Sequence, residues 1–382
     1  MEIAYLTDQF LPRTSADTEQ LVSMVSALSL RPETEVKLII PAYVHKQPPS
    51  PKHINNYYHT SGVFTLSHIR IPSVFIRGIE KIWYAVKAVS LLNEDKPEVV
   101  YTRNIPVVLA VICFSNLPLF FETYRPWPDQ NFVANKFFKW LQKKRQLAGI
   151  ILHSKYAANS YLSVGYLEEQ LLVAHNAVNV EDFLKDNASK QVLRERLGLP
   201  ESKQVVTYTG HISPQKGLER MLKLARHFTN VLFLMVGSER EGVIEKKAKA
   251  LSNVKVIGWQ DKMAVFQYLR ASDVLYIPTS TKARDQAGNT VLPLKTFLYK
   301  ASGTAILAPD MEDLREVITH GETGFLVTPD DLQEEIKGLK SLLSDAELRS
   351  KLGEEAEEEI SENTWEARAD KILAFIESRI NV

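Results

Sequence analysis

The stretch QVVTYTGHISPQKGLERML, Gln204–Leu222, decides the fold. Val205 to Tyr208 form a short apolar, β-branched run that reads as a strand. Gly210 breaks the run, and Pro214, Lys216 and Gly217 lead into a segment with helical spacing. Strand, glycine-bearing loop and helix together make a βα unit. In open α/β sheets ligands gather outside the carboxyl ends of strands, which is where this loop lies. Gly210 lets backbone N–H groups come close to a ligand. His211 and Lys216 add donors and positive charge beside a helix start. The combination suits a phosphate or diphosphate, and an ordinary βα turn with a surface lysine is the plainer alternative. Neither Gly-x4-Gly-Lys-Ser/Thr nor Gly-x-Gly-x-x-Gly occurs, so the loop is neither a Walker loop nor a dinucleotide fingerprint.

Working outward, the same alternation continues on both sides. VLFLMVG, VKVIGW, DVLYIPT, TAILAP and TGFLV follow as strands, with AVFQYLRAS, LKTFLYKAS and DLREVITHG read as helices. Upstream, EIAYL, VKLIIP, EVVYT, LPLFFET and AGIILHS are short apolar runs separated by helical patterns. Continuous apolar strands alternating with helices imply parallel sheets covered on both faces. The fold class expected is α/β, with two Rossmann-like domains facing across a cleft. Domain boundaries fall at 1–177 and 178–364. The terminal TWEARADKILAFIESRI carries Trp365, Ile372, Leu373 and Ile376 on one helical face.

Composition narrows the classes. A chain of 382 residues is long for one core. Lys plus Arg and Asp plus Glu balance at 46 each, which removes the bulk signature of a nucleic-acid binder. The single cysteine, Cys113 in VVLAVICF, excludes an intramolecular disulfide and a cysteine-rich metal site, and its apolar setting predicts a buried thiol. No signal peptide or run of about 18 apolar residues is seen. The expected location is cytoplasmic, with peripheral membrane association.

A second stretch, VLPLKTFLYKASGTAILAPD at Val291–Asp310, reads as loop, short helix, glycine break and buried strand, with Lys295 at the helix start. YTGHISPQKGL resembles the diphosphate loop of retaining GT-B glycosyltransferases of the large family-4 group. ASDVLYIPTS, VLPLKTFLYKASGTAILAPD and DLREVITHGETGFLVTPDD are similar to successive segments of that group. VVYTRN, FFETYR and TWEARADKILAFI extend the likeness to both ends. It covers most of the chain and is strongest over about 204 to 332.

The resemblance implies roles at matching positions. His211 and Lys216 would contact the donor diphosphate and stabilise charge growing on the leaving oxygen, with Gly210 and Gly217 shaping the loop. The backbone from Asn289 through Thr290, Val291 and Leu292 would approach the sugar and phosphates, with Lys295 in support. The nucleotide base would lie near Val256–Trp259, with Trp259 as a packing residue. Leu298 stands where relatives carry a Glu that binds the ribose hydroxyls, and leucine cannot accept a hydrogen bond. In the first domain Arg13 follows the first strand, where Thr14, Ser15 and Ala16 replace a common Gly-Gly. Tyr124 and Arg125 replace the His and Asp of Glu-Val-His-Asp, and Arg103 faces the same rim. The helix NKFFKWLQKKRQLAG, basic and aromatic, suits an anionic membrane or the packed interior.

The first domain would then be the acceptor side, the second the nucleotide-sugar side, and residues 365–382 a helix crossing back to the first. The expected reaction moves a sugar from a UDP- or GDP-sugar to a hydroxyl of a saccharide or lipid-linked acceptor, in cell-surface polysaccharide or glycolipid synthesis. No metal, cofactor or nucleic acid is called for. The alternative is an inactive or altered relative acting as a partner or regulator of another enzyme, supported by Leu298 and the changed first-domain loops. A sugar-nucleotide epimerase or phosphorylase on the same fold is a third reading.

Overall fold

The computed structural model describes residues 1–72, 78–179, 188–278, 281, 292–361 and 363–380. The chain divides into two compact units, Met1–His175 with Trp365–Val382, and Asn176–Thr364.

The first unit is built on seven strands: β1 Glu2–Leu6, β2 Glu35–Tyr43, β3 Thr65–Ile71, β4 Val99–Thr102, β5 Leu119–Thr123, β6 Leu147–Leu152 and β7 Leu171–Val173. They lie in the order β3-β2-β1-β4-β5-β6-β7, and every neighbouring pair is parallel. Its helices are α1 Ala16–Ser29, α2 Pro51–Tyr58, α3 Ile79–Asp95, α4 Ile105–Phe114, α5 Trp127–Gln130, α6 Phe132–Leu141 and α7 Lys155–Leu162. One large core joins β-strand residues to the inward faces of α3, α4, α6 and α7. Ser15, Asn131 and Ser154 cap α1, α6 and α7 by accepting first-turn N–H groups, each cap worth about 1 kcal/mol.

Strand β3 was not foreseen, because TLSHIRI mixes His68 and Arg70 with apolar residues. It is an edge strand with one half-exposed face, where alternation is enough. Cys113 corrects another expectation. Its thiol is exposed, because α4 turns Val107, Val108, Val111 and Ile112 inward and carries Cys113 outside.

The second unit has six parallel strands: β8 Val205–Thr209, β9 Leu232–Ser238, β10 Val254–Gly258, β11 Val274–Tyr276, β12 Ile306–Pro309 and β13 Phe325–Val327. Their order is β10-β9-β8-β11-β12-β13. Helices α8 Lys190–Arg196, α9 Glu219–His227, α10 Val243–Ala248, α11 Lys262–Arg270, α12 Lys295–Ala301, α13 Leu332–Ser344 and α14 Ala346–Ile360 flank them. DLREVITHG is not a full helix. It makes one 3₁₀ turn at Leu314–Glu316. The reason lies in competing partners: the buried Lys300 Nζ donates to Val317 O at 2.7 Å, and Asp313 Oδ2 accepts from Leu292 N at 2.7 Å.

The last helix, α15 Trp365–Ile380, packs within the first unit. Trp365, Ile372 and Ile376 are buried, and Phe375 meets Phe120 edge to face at 5.8 Å.

Candidate functional site

Each sheet reverses its winding at one place, and there the loops diverge to leave a crevice. In the second unit the reversal lies between β8 and β11. The loop leaving β8 begins at Gly210, whose φ of 121° is open to glycine and strained for other residues. Gly237, at the end of β9, lies so close that a Cβ there would stand 2.7 Å from Gly210 O. A 3₁₀ turn over Pro214–Lys216 follows, closed by Gly217 with φ 71°. The helix read from Pro214 therefore starts only at Glu219.

Helix α12 is fastened to this loop by its first turns. Tyr299 Oη accepts from Thr209 N at 2.8 Å, and Lys295 Nζ donates to Thr209 O at 2.7 Å. The same ammonium lies 3.6 Å from the centre of the Tyr208 ring and 3.3 Å from where a Gly210 Cβ would sit. Lys295 is thus turned inward against the end of β8, not solvated at a helix start. Burial holds its pKa well below the usual lysine value, and repulsion from Lys216 lowers it further. Among the described residues neither lysine has a carboxylate partner. His211 is exposed, with Nδ1 3.9 Å from Glu239. A lysine held at the end of β8 and a second lysine on the loop, beside two glycines with positive φ, can hold a compact anion such as a diphosphate.

Leu292 precedes α12 with φ 50°, uncommon for a side chain of its size, and is fixed by its bond to the buried Asp313. Leu298 is partly exposed on α12. Asn289, Thr290 and Val291 lie outside the described residues. Trp259, expected to pack, follows β10 and is 56% exposed.

In the first unit the winding reverses between β1 and β4. The loops after these strands are stitched together, with Asn104 Oδ1 accepting from Asp8 N at 3.0 Å. Arg13 is exposed on the first loop, where its backbone N–H donates to Tyr58 Oη at 2.8 Å. Arg125 is half-buried between two rings, 5.5 Å from the Tyr124 centroid and 5.3 Å from that of Trp127. Arg103 lies beneath the rim, its side chain 9% exposed and paired with Asp17 at 3.1 Å. Its Nη2 has no hydrogen-bond partner among the described residues.

Behind these residues lies a buried cluster that sequence reading missed. Glu122 takes Tyr101 Oη at 2.8 Å on one oxygen. On the other it takes His153 Nε2 at 2.7 Å and Arg368 Nη2 at 2.8 Å. Burial alone would raise the Glu122 pKa, but the Arg368 and Arg103 charges and the His153 bond hold it well below the carboxylate range. Burial pushes His153 down to about 4, with the two arginines adding to the effect, so the ring is neutral and donates to Glu122. One signal was available. Arg368 falls three residues after Trp365 and four before Ile372, a charge inside an apolar helical stripe. His153 at the end of an apolar strand gave no sign of its partner.

Comparison with known proteins fits this layout. Residues 189–359 match the family model described as glycosyl transferases group 1. An uncharacterized 41.2 kDa protein in the cps region of Klebsiella pneumoniae is 24% identical over 72% of this chain and 68% of its own. Phosphatidyl-myo-inositol mannosyltransferase from Mycolicibacterium smegmatis is 26% identical over 47% of each chain, so the match spans about half of that relative. Among solved structures, Anabaena Alr3699/HepE in complex with UDP-glucose superposes with a TM-score of 0.74 at 16% identity, covering 99% of this chain and 100% of the other. The two parallel sheets have the GT-B fold, and the match of residues 189–359 to the glycosyl transferases group 1 model, with the mannosyltransferase relative, supports a glycosyltransferase.

Proposed function

We propose that the chain transfers a sugar, with retention of configuration, from a UDP- or GDP-sugar to a hydroxyl acceptor, in the synthesis of cell-surface polysaccharide or glycolipid. The observation that carries this reading is Lys295 held against the end of β8 beside Gly210, with no carboxylate partner among the described residues and with Lys216 exposed on the same loop. An arriving anion favours the charged form of a buried lysine and is favoured by it in turn. As the bond from sugar to diphosphate breaks, negative charge grows on the leaving oxygen. Preorganised donors there, with His211 and Lys216 in that role, lower the barrier by about 3–4 kcal/mol for one donor. The nucleotide sugar named with the HepE structure supports the donor class.

Arg13, Tyr124 and Arg125 are the acceptor-side groups in this reading. Arg103 joins them in this reading, its side chain paired with Asp17 on α1. The acceptor is a saccharide or lipid-linked hydroxyl. The chain works on the cytoplasmic side, in peripheral contact with a membrane through α6.

The test is a panel of UDP- and GDP-sugars assayed for transfer or hydrolysis, with melting temperature followed in parallel. Turnover with one donor supports the reading. Binding without turnover favours the second reading, a non-catalytic relative, which draws on Leu298 in place of a ribose-binding carboxylate. No shift with any donor at millimolar concentration removes both.

A further inference from the structure

The loop after β1 and the segment after β2 form one rim at the carboxyl edge of the first sheet, on the side of β1 away from β4. Two sets of contacts join them. The Phe10 ring stacks on Tyr43 at 4.3 Å, and Tyr43 stacks on His45 at 5.7 Å. On α2, Tyr58 Oη donates to Arg13 O at 2.8 Å, and Tyr57 Oη lies 2.7 Å from Thr14 Oγ1. Arg70 Nη1 donates to Tyr43 O at 3.2 Å and to Lys46 O at 2.9 Å, which fixes the turn carrying His45. The tyrosine hydroxyls are engaged within the rim, so what it offers outward is ring surface. His45 is exposed, and Tyr57 is 43% exposed.

No Asp or Glu occurs between Glu35 and Glu80, in a chain that has 46 of them. The same span holds four of the nine histidines. At the rim itself the cations are Arg13 and Lys46, both exposed, with the Lys46 ammonium 5.6 Å from the centre of the Tyr43 ring. Among the described residues neither has a carboxylate partner. Two acids stand on the neighbouring first turn of α1. Asp17 is taken by Arg103 and Gln9, and Glu19 is half-buried near Tyr58. Protein surfaces ordinarily intersperse both signs, so an acid-free stretch around unpaired cations makes a field suited to an anion.

We infer that this rim is an acceptor subsite for an anionic saccharide, a sugar ring that bears a carboxylate or a phosphate. The inference rests on the acceptor reading above and deepens it, adding His45, Lys46 and Tyr57 to Arg13 and giving the acceptor a charge. A sugar ring has an apolar C–H face and a polar belt of hydroxyls. The C–H face suits an exposed aromatic ring, and the belt stays free for hydrogen bonds. Arginine grips a carboxylate or phosphate with two parallel N–H donors, and lysine adds a point charge. A neutral acceptor would leave both cations unused. A nucleic acid fits less well, because it needs a groove of cations along many phosphates and Arg13 with Lys46 neutralises at most two.

The test is saturation-transfer NMR of the full chain against glucose, glucuronic acid and glucose 6-phosphate, with no nucleotide sugar present. Without a donor this binding is read apart from transfer, so it can hold where every donor fails, and the reverse. At least one anionic sugar is expected to bind about tenfold or more tightly than glucose, and more weakly as salt rises. Glucuronic acid alone assigns a carboxylated acceptor, and glucose 6-phosphate alone a phosphorylated one. Arg13→Ala with Lys46→Ala should remove the preference over glucose at unchanged melting temperature. Tyr57→Ala should weaken saturation of the sugar C–H protons, and His45→Ala carries the same expectation if that variant unfolds. Glucose bound as tightly as the anionic sugars overturns the charge of the acceptor. Inorganic phosphate that displaces glucose 6-phosphate with equal affinity shows an ion site without saccharide recognition and overturns the subsite. Loss on Lys216→Ala but not on the Arg13 pair moves the anion to the second unit and overturns the location. No binding of any of the three sugars removes the proposal.

Discussion

Arg368, on the last helix, donates to the carboxylate of Glu122 on β5 at 2.8 Å, across 246 residues of sequence. Both side chains are buried. A second bond from Arg368 Nε to His175 O, at 3.0 Å, fixes the guanidinium. This pair binds the end of the chain to the first unit. Removing one partner of a buried pair leaves the other charge uncompensated. Arg368→Met should therefore cost about 3–5 kcal/mol, read by urea unfolding of the full chain. Adding Glu122→Gln should recover part of that loss, because the stranded charge is gone. A single variant as stable as wild type rules out the pair as a strong link.

His153 gives the fold a pH dependence. Its pKa falls from an ordinary 6.5 to about 4 on burial. Between those values the unfolded chain takes a proton that the folded chain refuses. Stability is therefore retained above pH 6.5 and falls as pH drops through the window, by at most about 3 kcal/mol. His153→Gln, which keeps a donor for Glu122, should flatten the profile between pH 6.5 and 4. An unchanged slope assigns the acid sensitivity elsewhere.

Lys216→Ala should lower transfer by two orders of magnitude or more, with the melting temperature of the free protein within a degree or two of wild type, since its ammonium has no structural partner among the described residues. Turnover near the wild-type rate sinks the diphosphate assignment.

Lys295 makes a different prediction. Burial, and after it Lys216, lowers its pKa, and an arriving diphosphate raises it. Any proton exchange on binding UDP or GDP should therefore be uptake, with affinity rising as pH falls. Calorimetry in two buffers of different ionisation enthalpy measures the uptake. It should vanish in Lys295→Met. Binding with no proton exchange in the wild type means the lysine is already charged.

Leu298→Glu tests the missing carboxylate. Leu298 is partly exposed, so a glutamate there need not lose its water. A charge-assisted bond to a ribose hydroxyl contributes about 1.5–3 kcal/mol, so nucleotide affinity should tighten by one to two decades. Weaker binding means the pocket around Leu298 has been rebuilt for another group.

The parallel strands were legible because strands buried on both faces must be apolar throughout. VLFLMV satisfies that outright, and IAYL and VVTYT do so apart from buried threonines. β3 was not legible, because an edge strand tolerates His68 and Arg70. The Gly210–Gly217 loop could be read from its glycines and lysine, since few other residues permit its backbone. The first helical residue of α9 could not, because Gly217 in the left-handed region ends one turn before the next begins.

Lys295 marks the division between sequence and tertiary structure. The sequence by itself determined that a lysine opens the helix at 295, that Lys216 lies in a glycine-bearing turn, and that a leucine stands at 298. It also determined the alternation that yields parallel sheets, because periodicity and turn chemistry act between neighbours. Only the tertiary structure decided that Lys295 turns inward over Tyr208 to reach Thr209 O, and that Glu122, His153 and Arg368 meet. Those contacts depend on the strand order that brings distant segments side by side, and on the loss of water that makes each charge answer to its few remaining partners.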